Sequence, residues 1–376
     1  MINCSRLLRV GETEREVKKH RNKAAKDVPK HLIRYSKVYS PMVVWNITRE
    51  CNLSCPVCHL GSAPTADDGE LSTEEATDLI DQMATMGVPL ITVYGGEPLM
   101  RRDFLDLASY AHEKGLRMIF STNATLITKK TAKKIKNSGI TYVGIDLDGL
   151  AQQSGNGFDV LEGLKGSMLA IRRLREVGVG CGVRITIGEF NSAMLPEITA
   201  AIEKAGIRRF AVCQVLEGRP WREIGEERRK MMDFLIDYAA NSPEMEVVTE
   251  HVYADGVYIL ERLKRRDPRR ARRISNLLRM QGGCPAGRKL INIDHLGYLH
   301  PCIYWKECTI GNVRDTGLSE LWTHGNTILE KLRNRREHLK GKCGKCSYSE
   351  MCGGCRSRAE RYLGDCFRSD PACYFH

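Results

Sequence analysis

Cys51, Cys55 and Cys58 stand in the stretch WNITRECNLSCPVCHL, directly behind the apolar run 42–47. The spacing C-x3-C-x2-C offers three thiols from one short loop at the end of a predicted strand. Thiolates are the usual protein ligands of iron–sulfur clusters. Three of them on a four-iron cluster leave one iron open to a ligand that is not protein. Structural zinc wants a closed set of four ligands, which His59 could complete. Downstream, Cys284, Gly297 and Cys302 fit C-x12-G-x4-C. Cys343, Cys346, Cys352 and Cys355 fit C-x2-C-x5-C-x2-C, with Cys373 behind them. Taken alone, that last run suits a zinc ribbon as well as an iron–sulfur site.

The chain has 376 residues and 15 cysteines. It shows no N-terminal apolar h-region and no run approaching the ~18 apolar residues that would span a bilayer. A soluble, cytoplasmic protein is expected, with no membrane partner. In a reducing compartment, cysteines clustered at ligand spacing read as metal-binding rather than bridged. The net charge is +12, concentrated in runs such as RLKRRDPRRARR (262–273) and Arg333 to Arg336. Such runs are either solvated helix faces or a means of attracting a polyanion. No RNA-binding motif accompanies them, which disfavours nucleic acid.

The elements that must position these residues alternate. Strands are predicted at 42–48, 90–94, 117–121, 141–147, 182–187 and 209–215. Helices are predicted at 73–86, 104–114, 128–137, 160–177 and 195–205. Ser72 and Glu75 form a capping box for the first helix, and Gly87 stops it. Six βα units with right-handed connections predict an α/β protein whose parallel sheet curls into a partial (β/α)6 barrel. The predicted organisation is an N-terminal extension (1–41), the barrel (42–221), a helical, basic bridge (222–283) and a cysteine-rich domain (284–376).

Ligands in barrels collect at the C-terminal ends of the strands. The cysteine loop follows the first strand there. Tyr94-Gly95-Gly96-Glu97-Pro98 follows the second, with two glycines that let backbone approach a ligand and a carboxylate to accept from an ammonium. Ser121-Thr122-Asn123 follows the third, and Asp146 and Asp148 close the fourth. A lone GGEP is weak, but one placed ~40 residues behind C-x3-C-x2-C and directly after a strand is strong.

This combination resembles the radical S-adenosylmethionine (SAM) superfamily over essentially the whole chain. The resemblance implies that Cys51, Cys55 and Cys58 hold a 4Fe–4S cluster whose free iron takes the amino and carboxylate groups of SAM. It places Gly95, Gly96 and Glu97 at the SAM amine, His59 beside the adenine, Arg184 at the carboxylate, and Asn123 and Asp146 near the ribose. The C-terminal cysteines resemble the SPASM extension, which carries auxiliary clusters. By that likeness Cys284, Cys302, Cys308 and Cys355 form one cluster, with Cys366 as rival to Cys308. Cys343, Cys346, Cys352 and Cys373 form another, for three 4Fe–4S clusters in all. Cys4, Cys181 and Cys213 are left as packing residues.

Within this family, VPKHLIRYSKVYSPMVVWNITRECNLSC, STNATLI, YVGIDLDGL, ADGVYILERLKRRDPRRA and CGGCRSRAERYLGDCFRSDPACY are similar to enzymes that trim tetrapyrrole side chains. These are the didecarboxysiroheme deacetylases, the related enzymes of haem d1 biosynthesis, and the iron-coproporphyrin decarboxylases. The deacetylase-type pattern has GRG where this chain has LEGRPW (216–221), a histidine near Tyr253, and fewer C-terminal cysteines. The resemblance implies an anionic iron tetrapyrrole as substrate, Arg219 as a substrate contact, and ferredoxin or flavodoxin as electron donor. Two alternatives remain at this point. A SPASM maturase of ribosomal peptides often carries a winged-helix docking domain, for which residues 1–41 are too short and too basic. An iron–sulfur or zinc scaffold without SAM chemistry would leave GGEP without a role.

Overall fold

The computed structural model of the protein describes residues 1–9, 40–55, 58, 60–148, 160–187, 192–214, 221–250, 252–324 and 326–375. His59, Arg219 and most of the predicted N-terminal extension lie outside the described residues. The chain divides into two compact units: residues 20–183 with 286–333, and residues 1–19 with 184–285 and 334–376. The cysteine-rich segment beginning at 284 therefore contributes to both.

In chain order the strands are β1 (Ile2–Asn3), β2 (Met42–Asn46), β3 (Ile91–Tyr94), β4 (Met118–Thr122), β5 (Tyr142–Asp146), β6 (Gly180–Ile187), β7 (Arg209–Gln214), β8 (Glu246–Thr249), β9 (Leu290–Ile293), β10 (Tyr298–His300) and β11 (Gly311–Asn312). The six predicted strands are β2 to β7, each within two residues of its expected ends.

In the unit built on 20–183, β2, β3, β4 and β5 pair parallel in sequence order, and β2 is flanked on its other side by β9, also parallel. β10 and β11 continue antiparallel from β9. Buried Val43, Trp45, Ile91, Val93 and Phe120 form the core along these strands. The helix Thr73–Met86 opens on the expected reciprocal cap, Ser72 accepting from the Glu75 N–H and Glu75 from the Ser72 N–H. It ends on Gly87 at φ 69°. Its buried Ala76, Leu79, Ile80 and Met83 recur at the spacing of one helix face. Glu75 also pairs with Arg314 at 2.6 Å, which joins the segment after β11 to the start of this helix.

In the other unit β7 pairs parallel with β8, and β1 pairs antiparallel with β8. β8 places one short strand within the stretch 222–283 predicted as a helical bridge. Glu-Val-Val-Thr is a short β-branched run whose Val247, Val248 and Thr249 are buried between two long helices, Trp221–Asn241 and Ala254–Arg266. Four residues carry too little periodicity to stand out against those flanks. Among the described residues, no helix is long and apolar enough to cross a membrane.

Candidate functional site

The cysteine loop leaves the end of β2 under tight backbone control. The Cys51 N–H donates to the Ala63 carbonyl at 2.8 Å and the Ala63 N–H to Arg49 at 3.1 Å, which closes the base of the loop. Cys58 N–H donates to Cys55 O at 3.1 Å, so these two thiols sit on one turn. Glu70 accepts from the Arg49 N–H (2.7 Å) and the Thr48 hydroxyl (3.1 Å), and Arg49 pairs with Asp67 at 2.8 Å. Lys306, from the segment after β10, donates to Leu60 O at 2.8 Å.

The three thiols are not equivalent. Burial pushes Cys51 up, and burial with the charges of its neighbours pushes Cys55 up to about 12. Burial also opposes ionisation of Cys58, but the Ser62 hydroxyl, at 3.1 Å from Sγ, and the backbone N–H groups of 60–62 outweigh it and leave Cys58 low. Three neutral thiols would gain little from such crowding. A cationic cluster shared by the three would favour all three thiolates together.

Gly95 and Gly96 are strapped against this loop. Gly96 N–H donates to Thr48 O at 2.8 Å and Glu97 N–H to Glu50 O at 2.7 Å. A Cβ on Gly96 would stand 2.1 Å from Glu50 O, and one on Gly95, whose φ is 151°, 2.5 Å from Thr48 O. The space these glycines leave is thus taken first by the backbone leading into the cysteines, which refines the reading of a ligand cleft.

Glu97 is 0% exposed. Its carboxylate accepts from the Thr122 hydroxyl at 2.9 Å, the Asn123 N–H at 2.8 Å and the Leu99 N–H at 3.1 Å. Burial nevertheless dominates and lifts it to about 7. Asn123 turns its amide toward the cysteine loop, donating to Asn52 Oδ1 at 2.9 Å and lying 3.9 Å from Cys51 Sγ. Ala124 follows at φ 67°, the single non-glycine positive φ among the described residues. That turn aims Asn123 inward while Thr125 bonds its Oδ1. The charges of Asp146 and Asp148 both act on Cys55. One constellation thus gathers Cys51, Cys55, Cys58, Gly95, Gly96, Glu97, Asn123, Asp146 and Asp148. Thr122, which the sequence placed at the rim with Asn123, belongs with it; so do Asn52, Ser62 and Lys306, which were not foreseen, since a lone polar side chain in a loop carries no sequence signal.

Arg184 belongs to the other unit. It is buried in β6 and pairs through Nε with Glu250, just past β8, at 2.9 Å. The same unit holds a pocket of about 400 Å³ lined by Cys343, Cys346, Cys352 and Cys373, four thiols the sequence grouped together. Backbone N–H groups two residues on point at three of these sulfurs: Tyr348 to Cys346 (3.4 Å), Gly354 to Cys352 (3.3 Å) and Phe375 to Cys373 (3.5 Å). Cys343 accepts from the Asp370 N–H at 3.3 Å. Hydrogen bonds of this kind stabilise thiolates and tune cluster potentials.

Around the pocket, Asp370 is buried, yet Arg358, in a pair at 2.7 Å, and the Cys355 N–H hold its carboxyl well below the usual range. Arg335 ties Cys284 and Cys352 together through their carbonyls. Tyr374, beside Cys373, donates to buried Asp255, which also pairs with Arg228. Among the described residues no three Cys, His, Asp or Glu side chains converge as a single ion requires.

Cys302 and Cys308 lie in the unit with the cysteine loop, while Cys284, Cys355 and Cys366 lie in the other. Cys302 accepts from the Tyr304 N–H at 3.5 Å, repeating the pattern seen at the pocket. Cys4 and Cys213 are buried in the core and Cys181 is half-buried.

Comparison with known proteins adds the following. The radical SAM superfamily profile matches residues 45–202, and a SPASM iron–sulfur cluster-binding domain matches 284–347. The chain is 36% identical to Fe-coproporphyrin III synthase of Methanosarcina barkeri, over 100% of this chain and 97% of that one. It is also 36% identical to pre-heme d1 synthase of Dinoroseobacter shibae, over 89% of this chain and 86% of that one. In three dimensions it resembles SAM-bound SuiB of Streptococcus suis, with a TM-score of 0.66 at 18% identity over 96% of this chain and 86% of that one. These matches show the expected α/β fold, a partial barrel with an auxiliary domain behind it.

Proposed function

The chain belongs to the radical SAM superfamily and carries a SPASM domain, and we propose that it removes or oxidises carboxylate side chains of an iron tetrapyrrole in haem biosynthesis. The observation that carries this reading is the likeness, along the full length of both chains, to an enzyme named for iron-coproporphyrin III. The net charge of +12 supports it, because such substrates are polycarboxylates. The two domains imply SAM and 4Fe–4S clusters. When bound, these supply a 5′-deoxyadenosyl radical for hydrogen abstraction and a route for single electrons.

Residue roles follow from that reading. Cys51, Cys55 and Cys58 hold the loop cluster, with Ser62 and Asn123 orienting the thiolates. Gly95, Gly96 and Glu97 receive the SAM amine; an ammonium beside Glu97 would restore the charge that burial suppresses. Arg184, which pairs with Glu250, takes the SAM carboxylate. His59 takes the adenine face, and Asn123 and Asp146 lie toward the ribose. Cys343, Cys346, Cys352 and Cys373 hold one auxiliary cluster. Cys284, Cys302, Cys355 and either Cys308 or Cys366 hold the second, for three clusters in total. Arg219 contacts substrate carboxylates, and a ferredoxin or flavodoxin supplies electrons.

Anaerobic incubation of the reconstituted protein with iron-coproporphyrin, siroheme and didecarboxysiroheme, followed by mass spectrometry, tests this. Loss of carboxylate-derived mass from one of them, with stoichiometric deoxyadenosine, is expected. No change in any tetrapyrrole, together with modification of a leader-bearing peptide, would overturn it.

A further inference from the structure

The basic run 262–273 takes no part in the chemistry described so far, and its place in the fold gives it another use. It ends the helix Ala254–Arg266, turns at Asp267 and opens the helix Pro268–Gln281. There Arg269, Arg270 and Arg273 meet Arg6 and Arg9, from and just behind the short helix Cys4–Leu8, around a pocket of about 650 Å³. Among the described residues, five arginines and one carboxylate, Asp267, line it.

The pocket is built rather than incidental. Arg9 is anchored by its Nη2 on Ser242 O at 2.9 Å and on Met245 O. Arg270 is anchored by its Nε on Leu7 O at 3.1 Å. Both acceptors are neutral carbonyls, so they orient the cations without cancelling them. Each arginine also keeps a buried donor with no partner: Nε of Arg9 and Nη2 of Arg270. A buried, unmatched guanidinium N–H is costly and rare. The strain shows at Arg270, whose charged form is disfavoured by burial and by Arg273, with Asp267 only partly offsetting them.

Within its own unit, the pocket's anchors stand at the opposite end of β8 from Glu250. Ser242 and Met245 precede β8, at its N-terminal end, whereas Glu250 with its partner Arg184 follows the C-terminal end. In barrels the reaction belongs to the C-terminal ends.

We propose that this arginine pocket, formed by Arg6, Arg9, Arg269, Arg270 and Arg273, is a second binding site that takes a pyrophosphate-class anion. Two linked phosphoryl groups supply enough negative charge for several guanidiniums, and their oxygens accept the forked N–H pairs that arginine presents. A monocarboxylate offers a single charge and two oxygens to the same cluster. The ligand source is either free pyrophosphate or the diphosphate of a nucleotide.

Calorimetric titration of the anaerobically prepared holoenzyme with sodium pyrophosphate, and then with ADP, tests the site. Saturable one-to-one binding of pyrophosphate is expected. It should weaken about 10–100-fold in Arg270→Gln, the worth of a charged hydrogen bond. The exposed Arg269→Glu, which leaves the helix packing intact, should weaken it comparably. Deoxyadenosine formation should be unchanged in both variants. Competition by ADP would make the source a nucleotide, and pyrophosphate binding that ADP does not displace would make it the free anion. Absence of saturable binding to wild type, or wild-type affinity in both variants, would overturn the proposal.

Discussion

Glu97→Gln should remove a pH-dependent contribution from the stability of the apoprotein. Burial raises this carboxyl from an ordinary 4.5 to about 7, against the opposing pull of the Asn123 and Leu99 N–H groups and the Thr122 hydroxyl. An acid raised on folding keeps its proton more tightly in the folded state. Stability therefore falls as pH climbs from about 4.5 to about 7, by roughly 3 kcal/mol in all. Glutamine does not titrate. Its oxygen can still accept from Leu99 and Thr122, but its NH₂ then faces the Asn123 N–H, which costs about 1–3 kcal/mol at every pH. The variant should be less stable than wild type at pH 5 and equal or better at pH 8. Urea unfolding of both apoproteins at pH 5, 6, 7 and 8, followed by circular dichroism, reads this directly. Parallel stability curves for the two proteins would refute the placement of a buried, proton-holding carboxyl at this position.

Other substitutions probe neighbouring parts of the argument. Gly96→Ala forces a methyl toward Glu50 O, backbone against backbone, so the cysteine loop must shift; we expect deoxyadenosine formation to drop at least about tenfold, and near wild-type turnover by chromatography would contradict the strap. Arg358→Ala removes the ion-pair partner of the buried Asp370, at a cost of about 3–5 kcal/mol, and iron analysis should show about four irons lost per chain if Asp370 supports the pocket cluster. Combined alanine replacement of Cys51, Cys55 and Cys58 should abolish deoxyadenosine formation; persistence of that product would sink the loop assignment.

Much of this protein is legible in its sequence because the decisive information is local. Strands β2 to β7 announce themselves as short apolar runs between amphipathic helices. Ser72 and Glu75 cap a helix through contacts only three residues apart. The cysteine spacings survive any fold, since ligands within one loop need only a short chain to meet, and Cys343, Cys346, Cys352 and Cys373 do line one pocket.

What depended on distance along the chain was decided by tertiary structure. β8 is four residues long and gains its place by pairing with β7 and β1. β9 joins β2 across some 250 residues, and no local pattern encodes that partner. The glycines of GGEP read as a ligand cleft, yet their missing Cβ atoms first admit the backbone of Thr48 and Glu50. Glu97 read as an acceptor for an ammonium, and only its burial lifts its carboxyl to about 7, against the hydrogen bonds from Thr122 and Asn123. Residue types and their spacing thus set which chemistry is available. Burial and long-range pairing, which are properties of the packed chain, set the charge states and the partners.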